Sequence, residues 1–303
     1  MKRLFGGIEA GGTKFVCVVG SGPNDIVEEI RFPTTQAAEE TIRRAIAFFA
    51  PYIHNANLTA IGIATFGPVD LNPVSPTYGC ITTTPKPGWS QVDLRGIVKR
   101  ALDLPVAFET DVNAAAFGEY YWTPANRCLD PFVYITIGTG IGVGVLVNGR
   151  PVHGLVHPEA GHLSIPHDKA MDPFTGICPY HKDCLEGLAS GPAMAKRWGQ
   201  EVKTLPDSHP AWELEAEYIA LALVNLTYAY SPQRIVLGGG VSLHPGLHKS
   251  VRQKVQQTLN GYIQSPVVLE KIDEYIVPPT LGNRSGVLGA IAMAMDLVDA
   301  RKK

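Results

Sequence analysis

An apolar strand, a turn of glycine and threonine, and a second apolar strand occur twice in this chain, about half its length apart. The first copy runs Leu4–Ile8, then Glu9-Ala10-Gly11-Gly12-Thr13, then Lys14–Gly20. So short a connection cannot hold a helix, so the two strands form a hairpin. The second copy is Phe132–Thr136, the turn Ile137-Gly138-Thr139-Gly140-Ile141-Gly142, and Val143–Val147. A supersecondary unit repeated at this spacing predicts two related lobes with a cleft between them.

The segments between the copies read as alternating strands and helices. A third strand is expected at Ile26–Phe32, an amphipathic helix near Ala37–Ala50 and a buried strand at Ala60–Ala64. Further helices are expected at Gln91–Leu102, Gly191–Gln200, Ala211–Tyr230, Leu243–Gly261 and Arg284–Ala300, with strands at Pro105–Phe108 and Arg234–Leu237. Asn72–Trp89 is rich in Pro, Thr and Gly, and its length and aromatic residues suggest an ordered substrate loop. The expected division is an N-terminal α/β lobe over 1–117 and a C-terminal α/β lobe over 118–283, with a last helix at about 284–303 packing back on the first.

Composition narrows the function. A formal net charge of −2, with no basic block before Arg301-Lys302-Lys303, argues against a nucleic-acid or membrane-surface partner. No apolar run approaches the roughly 20 residues of a membrane span, and the start reads as a strand rather than a signal peptide. Five cysteines, scattered except for Cys178 and Cys184, suit a reducing compartment, so a cytoplasmic protein is expected.

Three glycine stretches follow strands: Gly11-Gly12-Thr13, Gly138-Thr139-Gly140 and Gly238-Gly239-Gly240-Val241. Glycine lets backbone N–H groups approach phosphate oxygens, and the two threonines add hydroxyl donors. None matches the P-loop or dinucleotide patterns. Asp111 stands where a strand passes into the alanine-rich start of a helix, a position that favours an ionised carboxylate. It fits a helix N-cap equally well. Phosphate loops need an acceptor, however, and activating an acceptor hydroxyl needs a base.

The stretch Glu159-Ala160-Gly161-His162 … Cys178-Pro179-Tyr180-His181-Lys182-Asp183-Cys184-Leu185-Glu186 carries two thiols and an imidazole at three-residue steps in a polar loop. This suits a closed structural zinc site. His162, His157 and His167 are all candidates for the fourth ligand, and spacing alone does not choose among them.

Taken together, these stretches resemble the ROK family of sugar kinases, over nearly the whole chain. Glu9-Ala10-Gly11-Gly12-Thr13-Lys14 looks like the family's first phosphate motif, D-x-G-G-T-K, and Ile135–Gly142 is similar to the second. Ile235–Val241 looks like the adenosine segment, and Glu109-Thr110-Asp111-Val112-Asn113-Ala114-Ala115-Ala116 resembles E-N-D-x-N-A-A-A, whose Asp is the catalytic base. Glu159–His162 and Cys184–Glu186 match the E-x-G-H and C-L-E sugar and zinc motifs. Glu9 and Thr110 depart from the usual Asp and Asn, and Cys178-x-x-His181-x-x-Cys184 exchanges one Cys ligand for His. Thr110 and His181, with Pro76–Gly79 and Thr84–Trp89, are similar to the bacterial fructokinase branch.

The resemblance implies a two-lobed actin-like/hexokinase (RNase H-like) α/β fold with duplicated βββαβα-type cores and a central cleft. It implies an ATP-dependent phosphotransferase acting on fructose, with mannose, glucose or an N-acetylhexosamine as alternatives, and cofactors ATP, Mg²⁺ and structural Zn²⁺. Asp111 would be the base. Gly11, Gly12, Thr13, Lys14, Gly138, Thr139, Gly140, Ala189, Gly191, Pro192 and Gly238–Val241 would hold the nucleotide. Asn113, Glu159, His162 and Glu186 would face the sugar, and His162, Cys178, His181 and Cys184 would bind zinc. A homodimer is the family expectation, and the place of Glu9 in Mg²⁺ binding is open. The family also includes repressors and sugar sensors; with the first phosphate strand starting at Leu4, a DNA-binding module ahead of it is not expected.

Overall fold

The computed structural model describes residues 2–55 and 57–300, so the tip of the expected last segment, 301–303, lies outside the described residues. The chain forms two compact units. One comprises Met1–Cys128, Gly149–Pro158 and Asn283–Lys303, the other Leu129–Asn148 and Glu159–Gly282.

In the first unit, β1 (Leu4–Ala10), β2 (Lys14–Gly22) and β3 (Asp25–Pro33) form an antiparallel meander. Helix α1 (Ala38–Asn55) leads to β4 (Leu58–Thr65), and α2 (Leu94–Leu102) to β5 (Val106–Thr110), which runs into α3 (Asp111–Trp122). Both β4 and β5 pair in parallel, giving the order β3-β2-β1-β4-β5.

Alternation along the strands assigns the two faces of this sheet. Ile8, Ile61 and Ile63 join Phe15, Ile42, Phe49, Trp89 and Leu94 in one large core cluster. On the opposite face, glycines mark where backbone approaches closely. A Cβ on Gly62 would lie 1.8 Å from the Ala290 carbonyl oxygen, and one on Gly289 1.8 Å from that of Ala114. Glycine at these places lets the last helix lie against the sheet and against α3.

In the second unit, β6 (Phe132–Ile137) and β7 (Ile141–Val147) form the second glycine hairpin; the two-residue β8 (Arg150–Pro151) that follows in sequence falls in the Gly149–Pro158 segment of the first unit. Then come α4 (Leu185–Ala189), α5 (Gly191–Trp198), α6 (Ala211–Tyr230), β9 (Arg234–Gly238), α7 (Leu247–Leu259), α8 (Pro266–Leu269), α9 (Ile272–Tyr275) and β10 (Ile276–Val277). The chain closes with α10 (Ser285–Ala300), which packs on α3, β1 and β4. The second sheet has the order β10-β9-β6-β7-β8. Read from the meander side, the two sheets share one topology: a central strand with an antiparallel neighbour on one side and a parallel one on the other. The repeat seen in the sequence is therefore a repeat of sheet topology.

Of the helix ends that differ from expectation, three have a plain local reason. Helix α2 starts at Leu94, not Gln91, because the Asp93 side chain accepts the Gly96 N–H and Gln91 has φ 61°. Helix α5 stops at Trp198 because Gly199 takes a left-handed conformation, φ 69°. Helix α7 starts at Leu247, not Leu243, because His244 precedes Pro245 and is extended, and Gly246 has φ 85°. The Asn72–Trp89 loop is anchored by its last residue: Trp89 is fully buried against Phe15 and Phe66, and its indole N–H donates to Thr35 O at 2.7 Å. Among the described residues, no helix is long and apolar enough to cross a membrane.

Candidate active site and metal centre

In the first unit the chemistry gathers where β1 and β5 end. Helix α3 starts with Asp111, and its N-cap is Thr110, whose hydroxyl oxygen accepts the Asn113 N–H at 3.1 Å. Asp111 therefore sits inside the first turn, at the positive end of the helix dipole, with the capping role already filled. Its carboxylate accepts the Val112 N–H at 2.9 Å. Glu9, at the end of β1, is pushed up to about 7, first by burial and then by the charge of Asp111. The start of α10 crowds Glu9: a Cβ on Gly286 would lie 2.8 Å from the Glu9 carboxyl carbon.

The hairpin Gly11–Lys14 is closed by Gly11 N–H donating to Lys14 O at 3.0 Å. The space beside Gly12 is open. Gly11 thus shapes the turn with an amide already committed. The same division holds in the second unit, where Gly138 N–H donates to Gly140 O at 2.9 Å. There three glycine segments converge. Gly191 N–H donates to Gly138 O at 2.8 Å, a Cβ on Gly191 would approach Val241, and Gly239, at φ 92°, packs against the Ile137 backbone. Three stretches far apart in sequence, Gly138–Gly140, Gly191–Pro192 and Gly238–Val241, so meet around the end of β6.

The two acids flanking the metal loop are tied to this cluster. Glu186 accepts the Ile141 N–H at 2.9 Å, and a Cβ on Gly140 would come within 2.7 Å of its carboxylate. The Gly140 side of the turn is therefore glycine partly to admit Glu186. Burial, reinforced by the Glu186 charge, pushes Glu159 up to about 7.

Between them, the ligand atoms of His162, Cys178, His181 and Cys184 all lie within 4.8 Å of one another. The His162 Nδ1 is 3.8 Å from Cys178 Sγ and 3.5 Å from Cys184 Sγ, and His181 Nδ1 is 3.6 Å from Cys178 Sγ. Nitrogen and sulfur donors tetrahedrally placed at about 2.0–2.3 Å from one ion stand roughly 3.5–3.8 Å apart. The donor set and these three separations fit such an ion. Glycines hold the loop: Gly176 and Gly187 both lie against the Lys182 carbonyl, where a Cβ would come within 2.0 and 1.9 Å. The other candidate histidines are engaged elsewhere. His157 Nε2 accepts the Val69 N–H at 3.3 Å, and His167 bonds Asp183 at 3.1 Å and the Asp172 carbonyl at 2.9 Å.

Sequence reasoning did not single out a hydrogen-bonded pair beside Asp111, a buried Glu109 and a solvent-exposed His153. Glu109, 3% exposed, accepts from Thr110 N and from Asn113 Nδ2, each at 2.9 Å, and its other oxygen meets His153 Nε2 at 2.6 Å. Asn113 is thus buried and turned toward Glu109. No local signal marks a contact spanning 44 residues.

Residues 5–297 match the ROK family. The chain belongs to the ROK family. This ROK chain is 43% identical to a fructokinase of Streptococcus mutans over 297 residues, 97% of this chain and 98% of the relative. It is also 43% identical to a fructokinase of Pediococcus pentosaceus, covering 96% and 97% of the two chains. The structure of a ROK hexokinase from Thermus thermophilus superposes with a TM-score of 0.77 at 26% identity, covering 99% of this chain and 100% of that one. The α/β architecture with two mixed sheets is therefore that of the ROK sugar kinases.

Proposed function

We propose that this ROK protein transfers the γ-phosphoryl group of ATP to the primary 6-hydroxyl of D-fructose. The observation that carries the chemistry is the place of Asp111 in the first turn of α3, at the positive end of the helix, with Thr110 and not Asp111 as the cap. Asp111 takes the hydroxyl proton as the sugar oxygen attacks the γ-phosphorus. The bond from that phosphorus to the bridging oxygen breaks, and ADP leaves with the electron pair.

The other residues bind and orient. The Gly11–Lys14 and Gly138–Gly140 turns hold phosphate oxygens, chiefly through Gly12, Thr13, Lys14, Thr139 and Gly140, since the Gly11 and Gly138 amides close their own turns. Ala189, Gly191, Pro192 and Gly238–Val241 border the nucleotide. Glu159, His162 and Glu186 accept or orient sugar hydroxyls, and Asn113, held by Glu109, shapes the turn beneath the acceptor. Mg²⁺ bound with ATP would neutralise charge on the transferring group, with Glu9, whose carboxyl feels the Asp111 charge, to help place it. His162, Cys178, His181 and Cys184 would hold a structural Zn²⁺ whose work is to fix the loop between Glu159 and Glu186. A cytoplasmic homodimer completes the reading.

Fructose is preferred over mannose, glucose and N-acetylhexosamines because of the fructokinase relatives, each 43% identical over nearly the full chain. A coupled assay of kcat/KM for fructose, mannose, glucose and N-acetylmannosamine tests this. Fructose should give the highest value. A different leading hexose would move the substrate, and no ATP consumption with any of them would leave a sugar sensor in place of a kinase.

A further inference from the structure

The segment Gly149–Pro158 is stitched to its unit at three points. Arg150 pairs with Asp296 of α10, His153 with Glu109 at the end of β5, and His157 with the Val69 amide after β4. Between the two histidines a tight turn, Gly154 N–H to Val156 O at 3.0 Å, leaves Leu155 and Val156 in solvent. The middle stitch is the one that touches the reaction centre's support. Glu109 is a buried carboxylate whose hydrogen bonds go to the Thr110 amide, the Asn113 side chain and the His153 ring. Two of those three partners lie in the capped turn that carries Asp111.

We propose that His153 is a positioning residue for phosphoryl transfer: by bonding Glu109 it fixes the carboxylate that in turn orients the Thr110–Asn113 turn and Asp111. The inference rests on the kinase reading above. A carboxylate this deeply buried needs its partners, because an uncompensated charge in the interior is costly. Without the ring, the Glu109 carboxylate loses the partner of one oxygen and can swing toward the space the ring vacated, which releases the Thr110 amide or the Asn113 amide group. Displacement of a reacting group by about 1 Å can cost roughly 100-fold in rate. The bond to Glu109 also raises the His153 pKa against the opposing effect of burial, while the neighbouring His157 is lowered by its own burial.

The test compares His153→Ala, His153→Gln, Glu109→Gln and the His153→Ala/Glu109→Gln double variant in steady-state kinetics, with thermal unfolding as a check on folding. His153→Ala should lose about 10–100-fold in kcat, with KM for fructose and for ATP changed by less than about 3-fold, because a lost positioning contact acts in the transition state. His153→Gln retains an N–H donor at the ring's reach and should recover most of kcat. The double variant should be no worse than the poorer single variant, since both act through one link. Unchanged kcat in a folded His153→Ala enzyme overturns the inference. So does a loss confined to KM for fructose, which would make His153 a sugar ligand, and so does an additive double variant. If His153→Ala fails to fold, a His153→Gln enzyme as inactive as Glu109→Gln overturns it equally. A wild type inactive on every hexose removes the kinase reading and this inference together, whereas an active wild type with an indifferent His153 removes this inference alone.

Discussion

The Thr110 hydroxyl oxygen accepts the Asn113 amide N–H at 3.1 Å, so Thr110 and not Asp111 caps α3. On the proposed mechanism the two neighbours divide stability and chemistry between them. Thr110→Ala should cost about 0.5–2 kcal/mol of folding stability through the lost cap. Asp111→Ala should leave the unfolding midpoint close to wild type and lower kcat by about 10²–10⁴-fold. Melting curves read beside initial rates check this, and near-normal turnover in Asp111→Ala would remove it as the base.

The four-donor cluster makes a compositional prediction. Purified protein should carry roughly one zinc per chain, and Cys178→Ser should lose most of it, melt at a lower temperature and bind fructose more weakly, because the proposed ion would brace the loop between Glu159 and Glu186. Elemental analysis settles the matter: metal-free, fully active protein would leave the cluster as two thiols and two imidazoles in van der Waals contact.

Glu9 predicts a pH dependence of stability. In the folded chain it ionises near 7 instead of 4.5. Between those values the folded state keeps a proton that the unfolded chain has released. The stability tied to neutral Glu9 is therefore full below about 4.5 and is lost as pH rises through about 7. Glu9→Gln should gain on wild type across that window, by on the order of 1–3 kcal/mol at pH 8 without Mg²⁺. Denaturant melts at pH 5 and pH 8 measure the difference, and an equal gap at both would show that the acid is ionised throughout.

Two glycine substitutions should fail in different ways. The Cβ of Gly62→Ala would meet a backbone carbonyl at 1.8 Å, which has no room to yield, so the protein should be destabilised by about 1–3 kcal/mol or more. The Cβ of Gly140→Ala would meet the movable end of Glu186 at 2.7 Å. That variant should fold but show a raised KM for fructose, as Glu186 is pushed aside. Comparing unfolding midpoints with KM for the pair separates a packing glycine from a site glycine.

What could be read along the chain was whatever is carried by neighbours in sequence. The duplicated hairpins, the ends of α6 and the Cys178-x-x-His181-x-x-Cys184 spacing depend on two- to four-residue periodicities and turn chemistry, and they stand in the structure as local patterns predict. The short α4, α8, α9 and β10 carry too few residues for a periodic signal. Tertiary structure decided the rest. It brought His162 to the thiols while His157 bonded Val69 and His167 bonded Asp183, a choice that spacing left open. It gathered Gly138, Gly191 and Gly239 at one strand end, made Gly140 a seat for Glu186, and joined Glu109 to His153. Each of these is a contact between residues far apart in the chain, made by the closing of a sheet or the packing of a helix. Sequence named the chemical groups of this ROK protein; which of them touch was decided by how the chain folds back on itself.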